Sequence, residues 1–148
     1  MKKRLALLLA LFLILGSLPA AFAETASEPL QVDLDLSKMS GTIVYAQIYN
    51  LQYDPGAYLG KVIRVRGYYS FFREPSNGNA YYACVIPDAT ACCMQGMEFV
   101  PFAEPEDPDH FLGDNADITV TGRLEVYVED GASYLHLVEA DVQQNPET

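Results

Sequence analysis

Apolar and polar residues alternate with period two in several stretches of the chain, and that alternation predicts half-buried β-strands. From Asp117 to Glu129 it is almost unbroken. Ile118, Val120, Gly122, Leu124, Val126 and Val128 fall on one face, predicted inward, and Thr119, Thr121, Arg123, Glu125, Tyr127 and Glu129 on the other. Tyr58 to Phe72 repeats the pattern, with Ile63, Val65, Gly67, Tyr69 and Phe71 opposed to Arg64, Arg66, Tyr68 and Ser70. Gly67 interrupts this strand at its centre, where a glycine marks a bulge or a sharp bend. Ala80–Ile86 and Glu98–Phe102 are two shorter strands. Asp130-Gly131 is a tight hairpin signal, and it makes 133–142 the antiparallel partner of 117–129.

Upstream of the strands the period changes. Val44, Ile48 and Leu51 recur at helical spacing, behind Ser40 or Thr42 as a cap and ahead of the terminator Asp54-Pro55. A short helix over 42–51 is expected, although Ile43, Val44, Tyr45, Ile48 and Tyr49 also suit a strand. Five strands, the first long and bent and the last two a hairpin, predict a mainly β fold. An OB-like five-stranded barrel with one short N-terminal helix fits best, and a β-sandwich is the alternative. The usual helix between strands three and four is replaced by an acidic, proline-rich loop over 104–114.

The first residues bear on the compartment. Met1-Lys2-Lys3-Arg4, an apolar run from Leu5 to Leu15, and Ala21-Phe22-Ala23 have the order of a secretory signal peptide cleaved after Ala23. The apolar run is shorter than a bilayer requires, so no stable membrane insertion is expected. The domain reading is then a signal peptide over 1–23, a flexible leader over 24–39, one OB-like domain over 40–143 and a polar tail over 144–148. After cleavage six basic residues face twenty acidic ones, a net charge of −14. Nucleic acid is thereby disfavoured, because a phosphate backbone calls for clustered Lys and Arg. A protein or small-molecule ligand is the expected partner.

Two stretches carry a resemblance: Asp54-Pro-Gly-Ala-Tyr-Leu-Gly-Lys-Val-Ile-Arg-Val-Arg-Gly, and Tyr82-Ala-Cys-Val-Ile-Pro-Asp-Ala-Thr-Ala-Cys-Cys-Met-Gln-Gly-Met-Glu-Phe. Together they resemble a family of uncharacterised secreted OB-like proteins of Gram-positive, clostridia-like bacteria. More distantly they are similar to the extracytoplasmic domain of a bacterial permease subunit. That domain also pairs a "Tyr-x-Gly-Lys, then Val-x-Val-x-Gly" strand with adjacent cysteines. This chain has no membrane helices of that kind, and its acidic residue precedes the cysteine pair instead of following it. The resemblance implies an OB-like fold and no particular activity.

Candidate chemistry is concentrated in two groups. Cys84, Cys92 and Cys93 flank one short connection. In an exported protein a disulfide from Cys84 to Cys92 or Cys93 is the plain expectation, leaving one odd thiol. Three thiolates could instead hold Zn or Cu(I), with His110, His136, Met94 or Met97 as a fourth ligand. Adjacent cysteines on an extended strand point apart, so a shared ion requires the backbone to turn at Cys92-Cys93. Buried free thiols and a vicinal disulfide are the other readings. The CxxC at a helix start that thiol-redox enzymes favour is missing. The second group is aromatic: Tyr68, Phe72, Tyr81 and Tyr82 could form a ligand face on the first two strands, or serve as core and edge cover.

The acidic loop fails the EF-hand pattern, and His110 and His136 have no neighbouring nucleophile in the sequence. The functional expectation is a secreted, non-enzymatic binding or accessory module of the cell envelope with no cofactor. The alternative is a metal-handling protein using the three cysteines.

Overall fold

The structure is a computed structural model and describes residues 31–146. The signal-peptide reading, 1–23, lies outside these residues. The described chain is mainly β. Its elements are β1 (Leu34–Asp35), α1 (Gly41–Tyr53), β2 (Val62–Arg73), β3 (Ala80–Pro87), β4 (Met94–Pro101), β5 (Asp117–Glu129) and β6 (Ala132–Gln144). Among the described residues no helix is long and apolar enough to cross a membrane.

The six strands form one sheet in the order β1-β2-β3-β4-β6-β5, and β2 also pairs with β5. The long strand β2 is therefore shared. Its first part, Val62–Tyr68, pairs antiparallel with β5, and its last part, Tyr68–Arg73, pairs antiparallel with β3. The change of partner falls next to Gly67, the residue whose position suggested a bend. β4 runs parallel to β6 through Glu98↔His136 and Phe99↔Leu137. β5 and β6 form the expected hairpin, with Asp130 and Gly131 at φ 50° and 81°, the left-handed pair that a two-residue turn needs. Opposite Gly122 the β5–β6 register shifts, so that β6 bulges around Glu139, whose φ is 50°.

The interior follows from the alternation. Ile63, Val65, Ile118, Val120, Leu124, Phe99 and Leu137 are completely or almost completely enclosed. α1 closes one end with Val44, Ile48 and Leu51, the three residues of its helical stripe. Its cap is backbone only: Ser40 occupies the N-cap position, and its side chain makes no capping bond. Phe111, at the end of the 3-10 turn Pro108–His110, packs edge-on against Tyr69 and Tyr82. The acidic loop is thus tied to the core by an aromatic side chain, and to β2 by Arg73, whose Nε–H donates to Asp109 Oδ1 at 2.8 Å.

Three features depart from the sequence reading. Residues 33–36 are not a loose leader: Leu34 and Asp35 pair parallel with Ile63 and Arg64, and Leu36 is fully buried. Two residues are too few to show a period, so this strand has no sequence signature. Val126 and Val128 are exposed, because the hairpin tip projects beyond the enclosed interior. Thr121 is on the outer face as expected, yet it is 5% exposed. The Arg64 side chain from the paired position of β2 covers it and donates Nε–H to Thr121 Oγ1 at 3.0 Å.

Candidate functional site

A cleft of about 560 Å³ opens between the turn joining β2 to β3 and the tip of the β5–β6 hairpin. Its floor is the outer face of β3 and β4. Tyr82, Cys84 and Ile86 of β3 point into the core, so Tyr81 and Ala83 face out. Likewise Met97 and Phe99 point in, and Gly96 and Glu98 face the cleft. Gly96 and Ala83 carry almost no side chain, which leaves the floor low between larger walls. One wall holds Phe72 and Tyr81, cross-strand partners whose rings lie 6.4 Å apart. The facing wall is formed by Tyr127 and Tyr134, paired across the hairpin with rings stacked at 5.4 Å. His136 also stacks on Tyr127, with ring centroids 4.6 Å apart.

Two phenol–carboxylate pairs order these walls. Tyr81 OH donates to Glu129 Oε1 at 2.6 Å, and Tyr127 OH donates to Glu98 Oε2 at 2.7 Å. The first ties β3 to β5, and the second ties β5 to β4. Each phenol engages one carboxylate oxygen. Glu74 and Asp130 bring the carboxylates around the cleft to four, and among the described residues no Lys or Arg lines it. Burial raises Glu98 above its ordinary carboxylate value, partly opposed by the Tyr127 hydrogen bond. Burial, and then the bond to Glu98, push Tyr127 well above a free phenol. The bond to Glu129 raises Tyr81. Burial lowers His136, which favours its neutral form.

Glu98 has a consequence for stability. The fold favours its protonated form, so its contribution is complete below the unfolded-state pKa and is lost as pH rises through the raised folded-state pKa. Asp35 and Asp117, lowered by Ser37 and Arg66 respectively, act in the opposite direction. Glu98→Gln removes only the first effect. The stability of the variant minus that of the native chain is therefore expected to increase as pH rises from the ordinary glutamate range through the raised folded-state value. Urea midpoints measured across that interval test this, and a flat difference would contradict the desolvated environment of Glu98.

The aromatic residues expected from sequence divide into three fates. Phe72 and Tyr81 line the cleft. Tyr82 borders it, but its ring is buried against Tyr69, Phe71 and Phe99. Tyr68 is exposed elsewhere, opposite Asp117 on β5. Sequence reading missed Glu98, Tyr127, Glu129 and Tyr134. Tyr127 and Tyr134 could have been matched by counting equally outward from Asp130-Gly131. The two Tyr–Glu pairs join residues 29 and 48 positions apart, which no local pattern reveals.

The three cysteines are free and do not converge. Cys84 is buried and sits opposite Met97, and burial pushes its thiol up to about 12. Cys92 and Cys93 are exposed in the loop beyond the Pro87↔Met94 pair that ends the β3–β4 ladder. Cys84 is three rungs down that ladder, ~10 Å at ~3.3 Å per residue. A disulfide requires Cα atoms within ~7 Å, so both the expected disulfide and the three-thiolate centre are corrected. The cause is Asp88. Its Oδ1 accepts from the N–H groups of Thr90 and Cys92, and its own N–H donates to the carbonyl of Cys93. These bonds hold 88–93 as one loop and keep both cysteines out of β4. His110 bonds Asp107 at 2.8 Å in the acidic loop, and His136 stacks on Tyr127.

Compared with known protein families and with curated proteins, the chain finds no match.

Proposed function

We propose that this chain is an exported, non-enzymatic binding module of the OB type, and that its ligand occupies the tyrosine-walled cleft. The circuit β2-β3-β4-β6-β5-β2, with a long first strand shared between two partners, supports the OB reading. The observation that carries the function is the position of the cleft. OB folds bind ligands on the face of barrel strands two and three, between the loop that joins strands one and two and the loop that joins strands four and five. Here the corresponding segments are β3 and β4, the turn over 74–79, and Asp130-Gly131, and all of them border the cleft.

The lining indicates the chemistry of the ligand. Four carboxylates, with no Lys or Arg among the described residues of the lining, favour a cation, and four aromatic rings favour one attached to a flat or apolar body. A peptide carrying Arg or Lys satisfies both. An anionic strand of nucleic acid satisfies neither. Export rests on the basic and apolar N-terminal residues and on the acidic charge of the remainder.

Amide chemical-shift mapping tests the reading. An Arg- and Lys-containing peptide is titrated into the chain, with a Glu-containing peptide of equal length as the control. Shifts are expected at Tyr81, Gly96, Glu98, Tyr127 and Tyr134 with the basic peptide alone, and they should weaken with salt. Tyr134→Ala, at an exposed position, should weaken binding about tenfold at the ~1–2 kcal/mol of one aromatic contact. Equal response to both peptides, or shifts confined to other faces, would reject the cleft as the binding site.

A further inference from the structure

We propose that Asp88, Cys92 and Cys93 form a binding site for a divalent ion of the zinc class on the loop between β3 and β4. This site is separate from the cleft and goes beyond the binding function assigned to it. The condition set by the sequence was a turn at the cysteine pair, and the loop meets it. Ala91 is left-handed at φ 55°, and the backbone bends through 91–93. The two sulfurs, which an extended strand would send to opposite faces, stand 3.7 Å apart. Cys92 Sγ is 3.4 Å from Asp88 Oδ2. One ligand atom from each of the three residues lies within 4.8 Å of the others.

These separations are close to those a tetrahedral ion imposes. With bonds of ~2.3 Å to sulfur and ~2.0–2.2 Å to oxygen, the edges of the tetrahedron are ~3.8 Å between sulfurs and ~3.6 Å from sulfur to oxygen. Two of the three donor pairs already stand near these distances, and the third lies within 4.8 Å. Asp88 serves two purposes: Oδ1 organises the backbone, and Oδ2 is turned to the Cys92 thiol. Two thiolates and a carboxylate suit a borderline-soft divalent ion. Purely soft Cu(I) would make little use of the carboxylate. Binding transfers the two thiol protons to solvent and forms two metal–sulfur bonds and one metal–oxygen bond. A fourth position is left for water or a further donor, and the exposure of both cysteines gives the ion a path in.

The test uses the full chain, reduced and freed of metal. Cd²⁺ is the spectroscopic probe, through its thiolate-to-metal charge-transfer band, and Zn²⁺ affinity is read by competition with a chromophoric chelator. A saturable band at one ion per chain is expected. Cys92→Ala and Cys93→Ala should each abolish the band or weaken binding more than about tenfold, since even outer partners of a metal site are worth ~10–100-fold. Asp88→Asn keeps an Oδ1 acceptor for the loop and loses the charge. It should weaken Zn²⁺ binding by about tenfold or more while circular dichroism is unchanged. Cys84→Ala should leave the band intact. No band with the reduced native chain, or binding that survives loss of either loop cysteine or of the Asp88 charge, would overturn the site.

Discussion

Leu124→Ala is expected to lower the free energy of unfolding by about 2–5 kcal/mol, the range for a buried leucine whose surroundings cannot collapse into the gap. Leu124 is fully enclosed. Its backbone is fixed on both sides, because its N–H donates to the Lys61 carbonyl and its carbonyl accepts from Gly60. Thr121→Ala, on the opposite face of the same strand, should cost about 0.5–1.5 kcal/mol, the net value of one hydrogen bond. That is more than an open surface position would lose, since Thr121 is covered by Arg64 and accepts its Nε–H. Urea unfolding followed by far-ultraviolet circular dichroism measures both. The chain contains no tryptophan, so the backbone signal is the better probe. Equal losses at the two positions would mean that β5 is displaced by one residue, which exchanges its faces.

Gly67→Ala should be nearly as damaging, by overpacking instead of by a cavity. A Cβ at Gly67 would lie 2.6 Å from the carbonyl oxygen of Val85 and 2.8 Å from Cys84 Sγ. The first contact is with backbone of a paired strand and cannot rotate away. A loss of about 1–3 kcal/mol or more is expected. Gly113→Ala is the control, because nothing lies within 4 Å of the added carbon and the backbone is not left-handed there. Thermal melts of the pair would show a clear drop for the first and little change for the second. A Gly67→Ala chain as stable as the native one would mean that β2 and β3 approach less closely than described.

Most of the strand framework was legible because it depends on local alternation. β5 has the bounds its period predicted, and Asp130-Gly131 specifies its hairpin with no help from distant residues. The helical stripe Val44, Ile48 and Leu51 is the set that α1 buries. Gly67 was legible as a bend, but not as the place where β2 changes partners, since that depends on β5 and β3 together. Hairpin register was the weak link at the cysteines. Centring the turn on 87–91 brought Cys84 toward Cys93, and the actual pairing opposes it to Met97, because the three acceptor bonds of Asp88 Oδ1 hold a longer loop. The cleft was half legible. Phe72 and Tyr81 stood out as aromatics on adjacent strands, whereas Glu98, Tyr127, Glu129 and Tyr134 meet them only through the closing pairings of β2 with β5 and β4 with β6.

The two-residue strand β1 also affects how the protein behaves in a crowded solution. The first half of β2 is hydrogen-bonded to β5 on one flank only. β1 occupies the other flank at Ile63 and Arg64, and Leu36 plugs the core beside it. A strand with a vacant flank can recruit strands from neighbouring molecules and seed aggregation. On the helical side Gln52 does the same for β4, donating Nε2–H to the Gly96 carbonyl at 2.9 Å. A proteolytic cut between Leu36 and Ser40 would spare the main strand framework and still release β1. The product is expected to lose the Leu36 plug from its core together with the cover on β2, and so to be both less stable and more prone to self-association.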